Sequence, residues 1–133
     1  MKTRERRLSI ENEMDVARAV LETASFCAAV GIDRGRGQMV ATAVSELARN
    51  IVKYASRGNV ILRPCVGRSG DGVEIVVEDD GPGIDDVEQA MQDHFSSSGT
   101  LGLGLPGVKR MMDEFTIESQ RGRGTRVTIR KWR

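Results

Sequence analysis

The chain has 133 residues, 39% of them hydrophobic and 29% charged, with a net charge of +1. That length fits one domain with an ordinary core and leaves little room for a second, so residues 1–133 are read as a single unit. The near-neutral balance excludes broad, sequence-independent binding to nucleic acid or acidic membrane, and no apolar run approaches the roughly 20 residues that span a bilayer.

Residues 4–10 (RERRLSI) alternate weakly and predict a first strand at a sheet edge. The basic start is followed by no apolar stretch of the kind a secretory signal carries, which points to the cytoplasm. From Asn12 onward, Met14, Val16, Ala17, Val20, Leu21 and Ala24 recur at helical spacing and predict a helix ending near Gly31. Asp33 is the expected N-cap of a second helix, with Val40, Ala43, Val44, Leu47 and Ile51 as its apolar stripe. Arg57-Gly58-Asn59 reads as a turn into a strand over 59–66, where Pro64 implies an edge or a bulge. Gly70-Asp71-Gly72 reads as a hairpin turn into a strong strand over 73–79. A short helix is expected from Asp85 to about Met91, then a Ser- and Gly-rich loop over 93–104. A helix with Pro106 in its first turn should run to about Glu114. Two last strands, 115–120 and 125–131, are joined by Gly122-Arg123-Gly124.

This order predicts an α/β (α+β) two-layer sandwich, one mixed sheet covered on one face by helices. Cys27 in a helix and Cys65 in a strand read as small core or near-core thiols of a reducing compartment, too few and too far apart for a structural zinc site. Trp132 is expected to pack against the sheet.

Three segments carry chemistry. In SELARNIVKY (45–54), Glu46 and Asn50 stand four apart on one helical face, with Lys53 one turn beyond. A carboxylate, an amide oxygen and an ammonium on one face suit a metal–phosphate ligand, the amide oxygen being a hard donor fit for Mg²⁺. Taken alone, a solvated helix face accounts for this pattern better. In DDGPGI (79–84), a carboxylate at a strand end can accept from an exocyclic amine, and Gly81 and Gly83 let the backbone approach a planar ligand. A tight strand-to-helix turn accounts for it equally well. In GTLGLGLPG (99–107), Gly99, Gly102 and Gly104 precede a helix start at Leu105-Pro106, whose free N–H groups attract anions. That stretch lacks the Gly-Lys-Ser/Thr ending of a Walker loop.

Considered jointly, the three segments resemble the N-box, DxGxG box and glycine-rich lid of the GHKL (Bergerat-fold) ATPase/kinase superfamily. Glu46, Asn50, Lys53 and Tyr54 resemble its Glu-x-x-x-Asn-x-x-Lys-Tyr pattern, and Gly124-Thr125 stands where the family places a supporting Thr. TAVSELARNIVKYA, EDDGPGI, GLPGVKRMMDEF and GTRVTIRKW are similar to the stressosome switch kinases of the RsbT type, stand-alone serine kinases without a histidine phosphoacceptor domain. The resemblance implies that Asn50 ligates Mg²⁺ and that Glu46 is the general base or orients the attacking hydroxyl. It implies that Asp79 binds the adenine amine of ATP, with Gly81 and Gly83 shaping the pocket and Thr125 supporting it. Gly99, Gly102, Leu103 and Gly104 would form the lid, the helix start near Leu105 would face the phosphates, and Lys53 would contact phosphate. Thr100-Leu101 departs from the family, where many members carry another Gly.

The implied activity is ATP–Mg²⁺-dependent phosphorylation of a serine on a STAS-domain scaffold. Release to activate a PP2C-type phosphatase would follow. Three other functions fit the same residues: an anti-sigma factor kinase that sequesters a sigma factor, a nucleotide-gated binding module without transfer, and a detached histidine-kinase catalytic domain. His94 and Ser96, Ser97 and Ser98 read as loop residues, and Met91, Met111 and Met112 as core filler.

Overall fold

Two helix starts are fixed by side chains that the sequence puts in place. The Asn12 carboxamide oxygen accepts from the Asp15 N–H at 3.0 Å, and the Asp33 carboxylate accepts from the Arg36 N–H at 2.9 Å. Caps of this type contribute about 1 kcal/mol each. In a computed structural model describing residues 4–67, 70–92 and 104–133, these caps open α1 (Glu13–Val30) and α2 (Arg34–Asn50). Gly31 ends α1 at φ +94°, a left-handed angle that suits glycine, returning its N–H to the carbonyls of Ala28 and Cys27.

The strands are β1 (Arg6–Ile10), β2 (Gly58–Gly67), β3 (Gly70–Asp79), β4 (Glu114–Ser119) and β5 (Thr125–Trp132). Two further helices are α3 (Val87–Ala90) and α4 (Gly104–Met111). The sheet order is β1-β2-β3-β5-β4, so β1 lies at an edge as expected. The sheet was expected to be mixed; every pairing among the described residues is antiparallel. The cause is the helical hairpin between β1 and β2. Two helices in succession return the chain to the end at which β1 finished, whereas a parallel pair needs a single crossover.

Smaller expectations are corrected by register. Gly58 and Asn59 belong to β2, and Gly70, Asp71 and Gly72 to β3, since Gly67 pairs with Gly70 and Cys65 with Gly72. The glycine cluster is therefore strand rather than turn. A Cβ at Gly67 would run into the Trp132 indole and one at Gly72 into the Lys131 carbonyl and that ring, whereas Gly70 has open space and a φ of +108°. Pro64 is tolerated because the β1–β2 ladder stops at Leu62, so Pro64 has a partner only on the β3 side. The last helix ends at Met111 rather than Glu114, which already belongs to β4. Residues 93–103, with His94, Ser96, Ser97, Ser98, Gly99, Gly102 and Leu103, lie outside the described residues.

Helices cover one sheet face only. Val60, Leu62, Val73, Ile75, Val77, Val127 and Ile129 point to that side and meet Phe26, Val40, Val44, Leu47 and Val108 in one buried cluster. Cys27 is buried there and Met112 fills its edge. The opposite face is polar and self-paired. Glu5, Arg63, Glu74, Arg130 and Glu114 form an alternating chain of ion pairs across the strands, with contacts of 2.6, 3.2, 2.8 and 2.8 Å. Ile61 and Val76 sit among these charges yet are only 2% and 7% exposed. The long arginine side chains around them account for this, shielding apolar surface while their charges stay in water. Among the described residues no helix is long and apolar enough to cross a membrane.

Candidate functional site

Strand parity sets Asp79. It ends β3 on the side of Val73, Ile75 and Val77, so its carboxylate emerges at the rim of the helix-covered face. The Gly81 N–H donates to its Oδ1 at 2.8 Å, and the Thr125 main-chain N–H also turns to the carboxylate. Burial pushes the Asp79 carboxyl above its usual range, and the charge of Asp80 adds to that. The two N–H bonds oppose the shift without cancelling it.

The glycines beside it are needed for close approach. A Cβ at Gly81 would meet Ala55, and one at Gly83, which lies at φ +76°, would strike the Gln120 carbonyl. Gly124 at φ +82° lies directly against the Asp79 carbonyl. The Gly122 N–H reaches the Pro82 carbonyl at 2.7 Å. The β4–β5 hairpin is thereby clamped onto the turn that follows Asp79.

Thr125 stands beside Asp79, where the resemblance places a supporting threonine. Its backbone supports Asp79, while its hydroxyl lies 2.8 Å from Ser119 Oγ. Ser119 was not singled out from sequence. Its hydroxyl also receives the Ile84 N–H at 2.8 Å and reaches the Gly124 carbonyl at 2.9 Å. The only signal available beforehand was position, a serine closing a strand opposite the threonine that opens the next.

On α2, Glu46 and Asn50 are both part-exposed. Glu46 Oε1 accepts from the Gly104 N–H at 3.3 Å, which brings the carboxylate to the first residue of α4. Gly104 takes φ +65°, and buried Pro106, Gly107 and Val108 hold α4 in the core. Leu105 belongs to that packing, since its side chain lies against the core and only its backbone is at the helix start. Asn50 is the last α2 residue, and its side chain makes no capping hydrogen bond.

After Asn50 the chain widens into a π-helical turn, Ile51–Ala55, that sequence periodicity did not reveal. A π turn takes more residues per turn than an α-helix, so Lys53 does not fall beneath Asn50 as α spacing predicts. Lys53 is exposed, and its ammonium lies 5.1 Å from the Tyr54 ring centroid, a cation–π distance.

Among the described residues no group of three or more His, Cys, Asp or Glu could hold a metal ion. An ion held here would rest on few protein ligands. That fits Mg²⁺, which keeps several waters and takes phosphate oxygens. A cavity of about 940 Å³ opens at the strand ends, with Asp79, Ser119 and Thr125 in its wall together with Asn59 and Arg123. Glu46 and Asn50 do not line it. The candidate residues thus fall into two groups, a carboxylate with closely packed glycines at the end of β3 and an α2 carboxylate beside the start of α4.

Residues 9–131 match the family described as histidine kinase-like ATPase domain. The chain belongs to that family. The chain is 48% identical over 101 residues to the serine/threonine-protein kinase RsbT of Bacillus subtilis (strain 168), spanning 76% of the chain and 74% of that protein. It is 36% identical over 97 residues to the anti-sigma F factor of Clostridium beijerinckii (strain ATCC 51743 / NCIMB 8052), spanning 69% of the chain and 68% of that factor. The fold is shared with the RsbU and RsbW domains of Rv1364c from Mycobacterium tuberculosis, at TM-score 0.63 and 18% identity, over 96% of this chain and 32% of that one. The relatives that the chain resembles are thus serine/threonine-protein kinases and anti-sigma factors of one family.

Proposed function

We propose that the 133 residues act as one kinase domain that transfers the γ-phosphate of ATP to a serine of a STAS-domain partner. The observation that carries this reading is the Glu46 carboxylate standing against the Gly104 N–H at the start of α4. Free N–H groups at a helix start attract phosphate, so a nucleotide held there brings its terminal phosphoryl group beside a carboxylate. Asp79 would take the exocyclic amine of adenine, with Gly81 and Gly83 giving the base room and the helix start near Leu105 facing the phosphates. Asn50 would hold Mg²⁺, which when bound neutralises charge on the phosphates.

In the transfer step the serine oxygen forms a bond to the γ-phosphorus as the bond to the ADP oxygen breaks. Glu46 orients the hydroxyl and accepts its proton. Lys53 is the least supported of the proposed contacts, given its place on Tyr54. The 48% identity to a named serine/threonine kinase supports serine as acceptor. A cytoplasmic switch follows from this reading: phosphorylation of a stressosome scaffold, then release of the kinase to activate a PP2C-type phosphatase. The anti-sigma F factor relatives favour a second reading, in which the bound partner is a sigma factor.

The test is γ-phosphate transfer with labelled Mg²⁺-ATP and candidate STAS proteins, comparing wild type with Glu46→Gln. Acid-stable label on serine, reduced about 100-fold or more in the variant with ADP binding retained, is the expected result. Equal transfer by both proteins would remove Glu46 from the mechanism. Nucleotide binding with no transfer to any partner would leave a nucleotide-gated binding module.

A further inference from the structure

With all three contacts made, the hydrogen-bond inventory around Ser119 closes in only one way. The Ile84 N–H can only donate, and it does so to Ser119 Oγ at 2.8 Å. The Gly124 carbonyl can only accept, so the single Ser119 proton goes to it across 2.9 Å. Thr125 Oγ1, 2.8 Å away, must then donate its own proton into the remaining lone pair of Ser119. Thr125 is left with lone pairs and no proton for any other partner.

Asp79 beside it, when ionised, is an acceptor as well, and Asp79, Ser119 and Thr125 share the wall of the strand-end cavity. The Ser119 bonds also fix the geometry of this wall, because Ile84 ends the glycine turn while Gly124 precedes and Thr125 opens β5. One hydroxyl therefore ties the two segments that flank Asp79 and decides which way a third side chain donates.

We propose that Ser119 is a positioning residue that sets nucleobase specificity: by consuming the Thr125 proton it leaves the Asp79–Thr125 stretch of the wall with side-chain acceptors only. A purine with an amine at position 6 supplies a donor to such a wall. A purine with a carbonyl there sets acceptor against acceptor, and buried acceptors without donors are penalised. The inference rests on the reading of Asp79 as the nucleobase contact.

The experiment measures ADP and inosine diphosphate binding by calorimetry to the full chain, as wild type, Ser119→Thr, Ser119→Cys and Ser119→Ala. Wild type is expected to prefer ADP by about 100-fold, as expected where a site built for one hydrogen-bonding pattern meets its opposite. Ser119→Ala should cut that preference about tenfold, since the freed Thr125 hydroxyl can now donate to the 6-carbonyl. Ser119→Thr should keep the preference and Ser119→Cys should fall between. If Ser119→Ala does not fold, the Cys variant carries the comparison.

A purely structural role would weaken both nucleotides equally and leave their ratio unchanged, and that result overturns the proposal. Equal binding of the two nucleotides by wild type would instead overturn the reading of Asp79, and this inference with it.

Discussion

Asp79 is held in conflict between stability and binding. Burial raises its carboxyl above the ordinary value of 3.8, so between that value and the higher folded one the native state holds more protons than the unfolded chain. Stability tied to this group is fully present below 3.8 and falls as pH rises through the folded value, so at neutral pH the ionised carboxylate weakens the fold. Asp79→Asn is therefore expected to unfold in urea at a midpoint no lower than wild type at pH 7. The difference should close as pH approaches 3.8, while ADP binding is lost throughout. A wild type more stable than the variant at pH 7 would mean that the Gly81 and Thr125 N–H bonds outweigh burial. Asp79, Gly81 and Gly83 were legible in the sequence because a carboxylate and two glycines after an apolar strand restrict what the backbone can do. Ser119 was not, because a serine is common at strand ends and its three partners come from 35, 5 and 6 residues away.

At the scale of elements, the open face of the sheet is the feature that alternation alone could not describe. Residues 73–79 alternate, but that Glu74 would stand between Arg63 and Arg130 depends on the register of three strands. Glu74 is 16% exposed at its side chain, against 40% and 35% for the two arginines. Its removal leaves two guanidinium groups facing each other across a gap. Glu74→Gln is expected to lose on the order of 1 kcal/mol in low salt, less than a fully buried pair and more than a typical exposed one. Raising the salt to 1 M should shrink that loss. Urea titrations at both salt concentrations test it, and a loss independent of salt would assign the effect to packing over Ile61 and Val76. The same dependence on register explains why the glycine cluster is strand: Gly70 and Gly72 read as turn formers, yet a Cβ at Gly72 would strike the Lys131 carbonyl and the Trp132 ring of the paired strand. The π turn was hidden for a different reason, since periodicity detects the face of a helix and a five-residue widening at its end leaves the apolar stripe intact.

At the scale of the molecule, both layers share one core. Residues from α1, α2, α4 and the central strands belong to a single buried cluster, and α4 packs on α2 beyond the sheet. A core shared in this way gives no layer independent stability, so unfolding should be a single transition. Trp132 is the only tryptophan and reports the far corner of the sheet, whereas far-UV circular dichroism reports mainly the helices. The two probes are expected to give coincident urea curves. A fluorescence transition that precedes the loss of helix would show the β2–β3 hairpin corner opening separately.

Element order, the cap at Asp33, the layer architecture and membership of a family matched over residues 9–131 were all legible in the chain. These rest on local causes: periodicity, capping side chains and glycines at positive φ. Tertiary structure alone decided that the sheet is antiparallel throughout, that Glu46 meets the start of α4, that Lys53 turns to Tyr54, and that Ser119 closes the wall beside Asp79. Each of these depends on where a second segment arrives, and strand register and helix packing set that position through the whole core at once.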